Sequence, residues 1–383
     1  MNKRVLEIAP TVVFAKSFLI ERLAYMSKKG FQMHLVCPVD NSIEEHARQN
    51  DYYYYPLDVR RLISVVSDIK VFFRLCKYIR ENHINCVVGH ADKGTLMAAL
   101  VGLFTWTKVI TFIHGTSFET RKGISRRVFI FVDWFQSFLS TKNICVSQFL
   151  VDLRTELHIA PKRKQVVPNM GSCCGIDCEK YDYHKVTNGI KSELRKNLGI
   201  SDDDFVIGFC GRFTKDKGID KLVEAFGMLE NLTKNKFTLL LLGSTDIRDS
   251  LPPFILDVIK KNERIVCPGF ITKNIERYYS IMDVFVLPTR RDGFGMCLLE
   301  AAAMGVPVLS SPLTGSRDAM SVKHNGEYIK IDSNDIYEKI LYLYNNPDLR
   351  CQYSKYGVEW VRSNFDKNTV CRYIVEIYED VIG

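Results

Sequence analysis

Val284-Phe285-Val286-Leu287, then Pro288-Thr289-Arg290-Arg291-Asp292-Gly293-Phe294-Gly295, then Met296 to Met304, then Val306-Pro307-Val308-Leu309 is the stretch that decides the fold. It reads as a short apolar run, a glycine-bearing loop, a helical pattern and a second apolar run. An apolar run bounded by turn residues fits a strand buried on both faces. A strand, a helix and a strand in that order make a parallel pair with its crossover.

The same rhythm extends in both directions. Phe205–Phe209, Phe237–Leu242 and Arg264–Cys267 are further strand candidates, with helices expected over Lys217–Leu229 and Ile275–Ile281. Towards the start, Val5–Ala9, Gln32–Cys37, Ile84–Gly89, Lys108–Ile113 and Lys142–Val146 read as strands. Ser17–Lys29 and Val65–Asn82 read as helices. The alternation breaks between about Pro168 and Ser201, a stretch with Gly171, Gly175, Asp177 and Asn188 but little strand signal. Two α/β domains are expected on either side of it. The length of 383 residues is right for two domains of this kind. Asp366–Ile382 is a helix by its spacing, with Val370, Tyr373, Ile374, Ile377 and Val381 on one face. The run Tyr52–Tyr55 reads as a strand with alternating buried rings, or else as a platform for stacking sugars.

Composition narrows the partners. Lys and Arg exceed Asp and Glu to give a net charge of +8, which suits nucleotide phosphate, lipid phosphate or nucleic acid. The basic residues show no helix-turn-helix, zinc finger or RNA-binding pattern, so no nucleic-acid partner is expected. The run at Val5–Ala9 is too short for a signal peptide. No stretch reaches the roughly 18 apolar residues of a membrane span; Val128–Leu139 is interrupted by Asp133 and Gln136. Of the 12 cysteines, only Cys173, Cys174 and Cys178 cluster, without a second Cys or His pair at zinc spacing. No metal site and no cofactor are expected. Reduced thiols fit a cytoplasmic location.

The chemistry-bearing residues concentrate in the second half. Gly211-Arg212 follows one strand and Lys217 opens the next helix. Arginine donates in two prongs to phosphate and lysine adds a point charge. Both stand where open α/β sheets bind ligands, at a strand's carboxyl end; a tight turn with two solvated cations is the bland alternative. Gly293 and Gly295 would leave amides uncovered at a helix start, where anions and hydroxyls bind. Glu300 follows eight residues after Asp292, among apolar neighbours that argue against full exposure. In the first half, Thr111-Phe112-Ile113-His114-Gly115 ends a strand and enters a loop.

Together, Gly211-Arg212 with Lys217, Asp292-Gly293-Phe294-Gly295 with Glu300, and Ala301-Ala302-Ala303-Met304-Gly305-Val306-Pro307-Val308 resemble the family 4 glycosyltransferases (group 1). Gly171-Ser172 before Gly175-Ile176-Asp177, and Gly315-Ser316-Arg317-Asp318-Ala319, resemble the branch acting on polyprenyl-diphosphate-linked N-acetyl sugars in capsule, O-antigen or protein-glycan assembly. The resemblance implies a GT-B fold, two Rossmann-like domains facing a central cleft: 1–178 for the acceptor, 179–365 for the nucleotide sugar, and a final helix 366–383 packing back on the first. It implies a retaining, metal-independent hexosyltransferase. The donor would be a nucleotide-diphosphate sugar, a UDP-sugar with GDP as the alternative. The acceptor would be a polyprenyl-diphosphate-linked glycan.

Carried over, Arg212 and Lys217 neutralise the donor diphosphate and Glu300 holds the ribose. Gly211 and the amides of Gly293, Phe294 and Gly295 belong to the donor cradle. Asp292 takes the first position of the family's Glu-x7-Glu motif, one methylene shorter than the usual glutamate. His114 contacts the donor sugar or the reacting centre. His90, Asp92 and Lys93 resemble a stretch lining the acceptor side. The turn Pro10–Lys16 lacks the glycines the family often carries there, so a differently shaped acceptor loop is expected. Arg121, Lys122, Arg126 and Arg127 precede Phe129, Ile130, Phe131, Trp134, Phe135 and Phe138, a pattern suited to an interfacial helix on the inner face of the cell membrane; a core helix with a basic cap is the alternative. Arg60, Arg61, Lys70, Arg74 and Lys77 add charge. Rival functions are a sugar-nucleotide epimerase or glycogen-type synthase of the same fold, and a non-catalytic nucleotide-sugar-binding protein.

Overall fold

The computed structural model describes residues 3–59, 64–119, 121–232, 236–246, 250–313 and 315–383. Arg60 and Arg61 lie outside the described residues. The chain divides into two compact units, Met1–Gly175 with Lys367–Gly383, and Ile176–Asp366.

The first unit is built on seven strands: β1 (Lys3–Ile8), β2 (Phe31–Cys37), β3 (Tyr53–Pro56), β4 (Cys86–His90), β5 (Lys108–Ile113), β6 (Lys142–Cys145) and β7 (Gln165–Val166). They run parallel in the order β3-β2-β1-β4-β5-β6-β7. The second unit has β8 (Phe205–Cys210), β9 (Phe237–Leu242), β10 (Ile265–Gly269), β11 (Val284–Leu287), β12 (Val308–Ser310) and β13 (Gly326–Tyr328). These are also parallel, in the order β10-β9-β8-β11-β12-β13. Both sheets reverse direction of growth once, between β1 and β4 and between β8 and β11. The loops leaving those neighbouring strands diverge, which opens a crevice at the carboxyl edge. This topology places every residue discussed below.

Two short edge strands, β7 and β13, carry too few residues to show in the sequence pattern. The helix expected over Ser17–Lys29 is two helices, Val12–Phe18 and Ile20–Lys28. Thr11 starts the first by accepting a bond from the Phe14 amide at 3.2 Å. The glycine-free turn after β1 is therefore a capped helix. The tyrosine run forms edge strand β3. Its rings are taken by protein neighbours: Tyr53 stacks on His34 and Tyr55 on Tyr78.

Asp133, which interrupts the apolar run of helix Gly123–Leu139, answers a buried arginine, Arg154, at 2.9 Å. Only Gln136 and Ser137 of that helix are fully buried. Phe131 and Phe138 are 60% and 65% exposed, so it is not a core helix.

The last helix, Lys367–Ile382, packs on helix Ile20–Lys28 of the first unit. Its buried face is Val370, Cys371, Ile374, Tyr378 and Val381. Tyr373 and Ile377, expected on that face, are only half-buried. Tyr378 can be buried because its hydroxyl finds a carboxylate inside, described below. Ile374 is fully buried. Ile374→Ala should lower the unfolding free energy by about 2–5 kcal/mol, read as a reduced urea midpoint with little change in slope.

Candidate active site

In the second unit, the crevice between β8 and β11 gathers the sequence-predicted donor residues. Gly211 and Arg212 leave β8. A 3-10 turn, Lys215–Lys217, follows, and Gly218 ends it at φ +70°. A Cβ on Gly218 would lie 2.0 Å from the Pro288 carbonyl oxygen after β11. Glycine is required there, and it lets the two loops touch. Across that contact Lys217 Nζ donates to Asp292 Oδ2 at 2.7 Å and to the Arg291 carbonyl at 3.2 Å. Burial works against the ammonium, but the Asp292 charge prevails and holds the Lys217 pKa above its ordinary value. Arg212, 54% exposed, donates to Asp246 at 3.0 Å and stands 3.8 Å from Asp216.

Asp292 does a second job. Its Oδ1 accepts from the Gly295 amide at 3.1 Å and, more weakly, from the Phe294 amide at 3.4 Å. The expected open cradle at those two amides is thus occupied by the chain's own carboxylate. The reason is the short side chain: an aspartate readily bonds backbone two and three residues on. The Asp292 carbonyl in turn accepts from the Gly315 amide at 3.1 Å, which ties in the Gly315–Ala319 turn.

Glu300 lies one turn into helix Met296–Ala303. The Tyr279 hydroxyl donates to its Oε2 at 2.7 Å, and Tyr181 bonds it as well. Burial raises the Glu300 pKa against the opposing pull of these two hydroxyls. Beside Gly211 and Arg212, Leu242, Gly243, Phe270, Ile271 and Ile275 line a pocket of about 220 Å³. Its walls are mostly apolar, which suits a flat ring.

In the first unit, the crevice between β1 and β4 holds a polar cluster. Glu7, near the carboxyl end of β1, is fully buried. Its Oε2 accepts from Arg22 Nη2 at 2.6 Å and lies 3.0 Å from His90 Nε2. Its Oε1 accepts from the Tyr378 hydroxyl at 2.9 Å. Burial would raise the Glu7 pKa, but the Arg22 charge and the bond from His90 overcome it, leaving about 2. His90 Nδ1 is 3.0 Å from His114 Nε2. Phe112 stacks on the His114 ring and Phe14 meets it edge-on. His90 is sealed from solvent, so it cannot line an acceptor surface directly, and its Nδ1 is taken by His114. Asp92 and His114 line one small pocket together, and Ser117 donates to Asp92. Lys93 is turned away to Asp68 on helix Val65–Glu81, at 2.7 Å. The sequence reading thus missed Glu7, Arg22, Tyr378, Tyr181, Tyr279 and Asp246. Only Glu7 left a signal, as a charge inside an apolar strand. Among the described residues no group of three His, Cys, Asp or Glu side chains could hold a metal.

Two nucleotide-fold units, each with its polar residues at the sheet's switch point, define a GT-B-type protein. A model of glycosyl transferases group 1 matches residues 190–360, and a model of glycosyltransferase family 4 matches residues 16–179. The chain belongs to this family of glycosyltransferases. It is 27% identical to the capsular polysaccharide biosynthesis glycosyltransferase CapM of Staphylococcus aureus, over 96% of this chain and 95% of that one. It is 22% identical to an Escherichia coli UDP-Gal:alpha-D-GlcNAc-diphosphoundecaprenol alpha-1,3-galactosyltransferase, over 86% and 84%. The crystal structure of Anabaena Alr3699/HepE with UDP and glucose shares the fold, with a TM-score of 0.82 at 15% identity, covering 99% of this chain and 100% of that one.

The raised Glu300 pKa has a consequence for stability. The folded chain holds the proton more tightly than the unfolded one, so this group's favourable contribution is complete at low pH and lost as pH rises through the folded value. Above the folded value, the charge on half-buried Glu300 is a liability. Glu300→Gln, which can still bond both tyrosines, should be more stable than the parent at pH 7. The gap should close towards pH 4, as followed by urea unfolding across that range.

Proposed function

We propose that this glycosyltransferase moves a sugar, an N-acetylated hexose, from a UDP-sugar to a polyprenyl-diphosphate-linked glycan, with retention of configuration and without a metal ion. The observation that carries the proposal is the β8–β11 crevice. There a two-pronged cation, a half-buried lysine, a half-buried carboxylate and an apolar pocket converge on one carboxyl edge. A nucleoside diphosphate needs all four. The apolar pocket by Phe270 and Ile275 takes the base. Glu300, its oxygens aimed by Tyr181 and Tyr279, accepts hydrogen bonds from the ribose hydroxyls. Arg212 and Lys217 take the diphosphate. UDP as the nucleotide and a diphosphate-lipid acceptor are supported by the names of the E. coli relative and of the Anabaena complex.

The reaction breaks the bond from the sugar's anomeric carbon to the diphosphate oxygen, which leaves with the electron pair. The acceptor hydroxyl oxygen forms the new bond on the same face, and its proton passes to the departing phosphate. Arg212 and Lys217 stabilise the charge that grows on the leaving group, which is where preorganised cations lower a barrier most. Asp292 and Asp246 yield those cations to the diphosphate. Asp292 then contacts the transferred sugar near the amides of Gly293, Phe294 and Gly295. The first unit takes the acceptor, and His114 is its candidate polar contact.

A lipid-linked acceptor calls for a membrane-facing surface, and the first unit has a candidate. Helices Val65–Glu81, Ala91–Thr105 and Gly123–Leu139 pack side by side. They expose Phe73, Phe104, Phe131 and Phe138, with Trp106 just beyond the second helix 95% exposed. Lys70, Arg74, Arg121 and Arg127 surround them, all exposed. Aromatic rings flanked by cations fit an anionic lipid surface. No described helix is long and apolar enough to cross a membrane. The protein would act peripherally, on the cytoplasmic face.

Arg212→Ala and Lys217→Ala should each cut turnover by about 10²–10³-fold, measured as UDP release from a panel of UDP- and GDP-sugars with polyprenyl-diphosphate-sugar acceptors. Release that depends on the acceptor supports transfer. Release or isomerisation without one would point to an epimerase, and parent-like turnover in both variants would place the site elsewhere. The exposed double substitution Phe131→Ser with Phe138→Ser should weaken co-sedimentation with phosphatidylglycerol vesicles by about tenfold or more, leaving the thermal midpoint unchanged.

A further inference from the structure

The polar cluster of the first unit fixes protons as well as positions. Glu7 is an acceptor only, because Arg22 at 2.6 Å keeps it ionised. His90 Nε2, 3.0 Å from the same oxygen, must therefore carry its hydrogen. Arg22 Nη2 lies 3.4 Å from that nitrogen and its guanidinium also lies over Phe112. A second cation beside a buried guanidinium is strongly disfavoured, and burial itself holds the His90 pKa below its ordinary value. His90 is neutral, so its Nδ1 is bare. His114 Nε2, 3.0 Å away, then donates to it. Burial holds the His114 pKa well below its ordinary value, so this ring is neutral too; its remaining nitrogen, Nδ1, is left without a hydrogen and has no bonding partner among the described residues. His114 is only part-buried and lines the pocket shared with Asp92, Gly115 and Ser117.

We propose that Glu7 and Arg22, acting through His90, are positioning residues that lock His114 in its Nε2–H form, so that Nδ1 faces the pocket as a fixed acceptor for a sugar hydroxyl. A lone histidine in water exchanges between two neutral forms, and one of them would present a donor here. The lock removes that form. The site therefore prefers a hydroxyl at this point over an ether or carbonyl oxygen, which can only accept. The arrangement also accounts for a costly feature: buried Arg22 leaves its Nε without a partner among the described residues, an expense that stability alone does not require.

That the hydroxyl belongs to a sugar rests on the transferase reading; the proton assignment does not. The test is a long-range proton–nitrogen correlation spectrum of the protein labelled at its histidine ring nitrogens, at pH 7, with no substrate. His114→Gln identifies the His114 signals. The expected pattern is a protonated Nε2 and a bare Nδ1 on His114, and a protonated Nε2 on His90. A hydrogen on His114 Nδ1 in the parent protein overturns the proposal whatever the enzyme's activity. In His90→Phe, His114 should become a mixture of both forms, and kcat/KM should fall about tenfold or more while UDP affinity is unchanged. An unaltered His114 pattern in a folded His90→Phe protein would also overturn it. If that variant fails to fold, the parent spectrum still decides.

Discussion

One buried carboxylate organises the first unit. Glu7 sits on β1, an interior strand of the sheet, and accepts from helix Ile20–Lys28 through Arg22, from the last helix through Tyr378, and has the end of β4 against it through His90. Those partners, Arg22, His90 and Tyr378, lie 15, 83 and 371 residues from Glu7 in the chain. A charge at that depth is tolerable only when paired and fully bonded. The three contacts are therefore conditions on the fold, and each orients its element. The last helix cannot rotate about its axis without stranding Tyr378. Helix Ile20–Lys28 cannot slide without separating Arg22 from Glu7 and from the Cys173 carbonyl, which it also reaches at 2.9 Å.

Much of the architecture was legible because parallel strands buried on both faces are nearly pure apolar runs. Phe237–Leu242, Lys108–Ile113 and Val284–Leu287 have the same limits in sequence and structure. The shortest elements were not legible. Two or three edge residues, as in β7 and β13, carry no periodicity, and their existence depends on a neighbouring strand to pair with. The break within Ser17–Lys29 was also hidden, since Leu19 is an ordinary helix residue that ends one helix and begins another by its position alone.

The residues expected at the donor side were found together in the structure for a different reason. Arg212, Lys217, Asp292 and Glu300 are close to strand ends in sequence, and strand ends of a switch point are close in space. The supporting shell was not readable, because Tyr181, Tyr279 and Asp246 reach the site from distant segments. No local pattern marks a tyrosine that will bond a glutamate, as Tyr279 bonds Glu300. Glu7 differs: a single charge within Val5-Leu6-Glu7-Ile8-Ala9 contradicts the run around it, and such contradictions are where function or special pairing should be sought.

In the proposed donor site the two cations, Arg212 and Lys217, are paired in unequal ways, and the inequality suits them to different parts. Arg212 is half-exposed, so its bond to Asp246 is screened by water and exchanges cheaply for a better anion. Lys217 is largely enclosed with Asp292, and separating them would leave two poorly solvated charges. A diphosphate can therefore draw Arg212 across easily. It recruits Lys217 only by bringing enough negative charge to replace Asp292 at close range. A diphosphate has that charge; a neutral sugar does not. In this sense Asp292, by being short enough to bond its own loop and Lys217 together, keeps the loop after β11 ordered until an anion arrives. The released carboxylate and the two freed amides are then available to the sugar that the same anion carries.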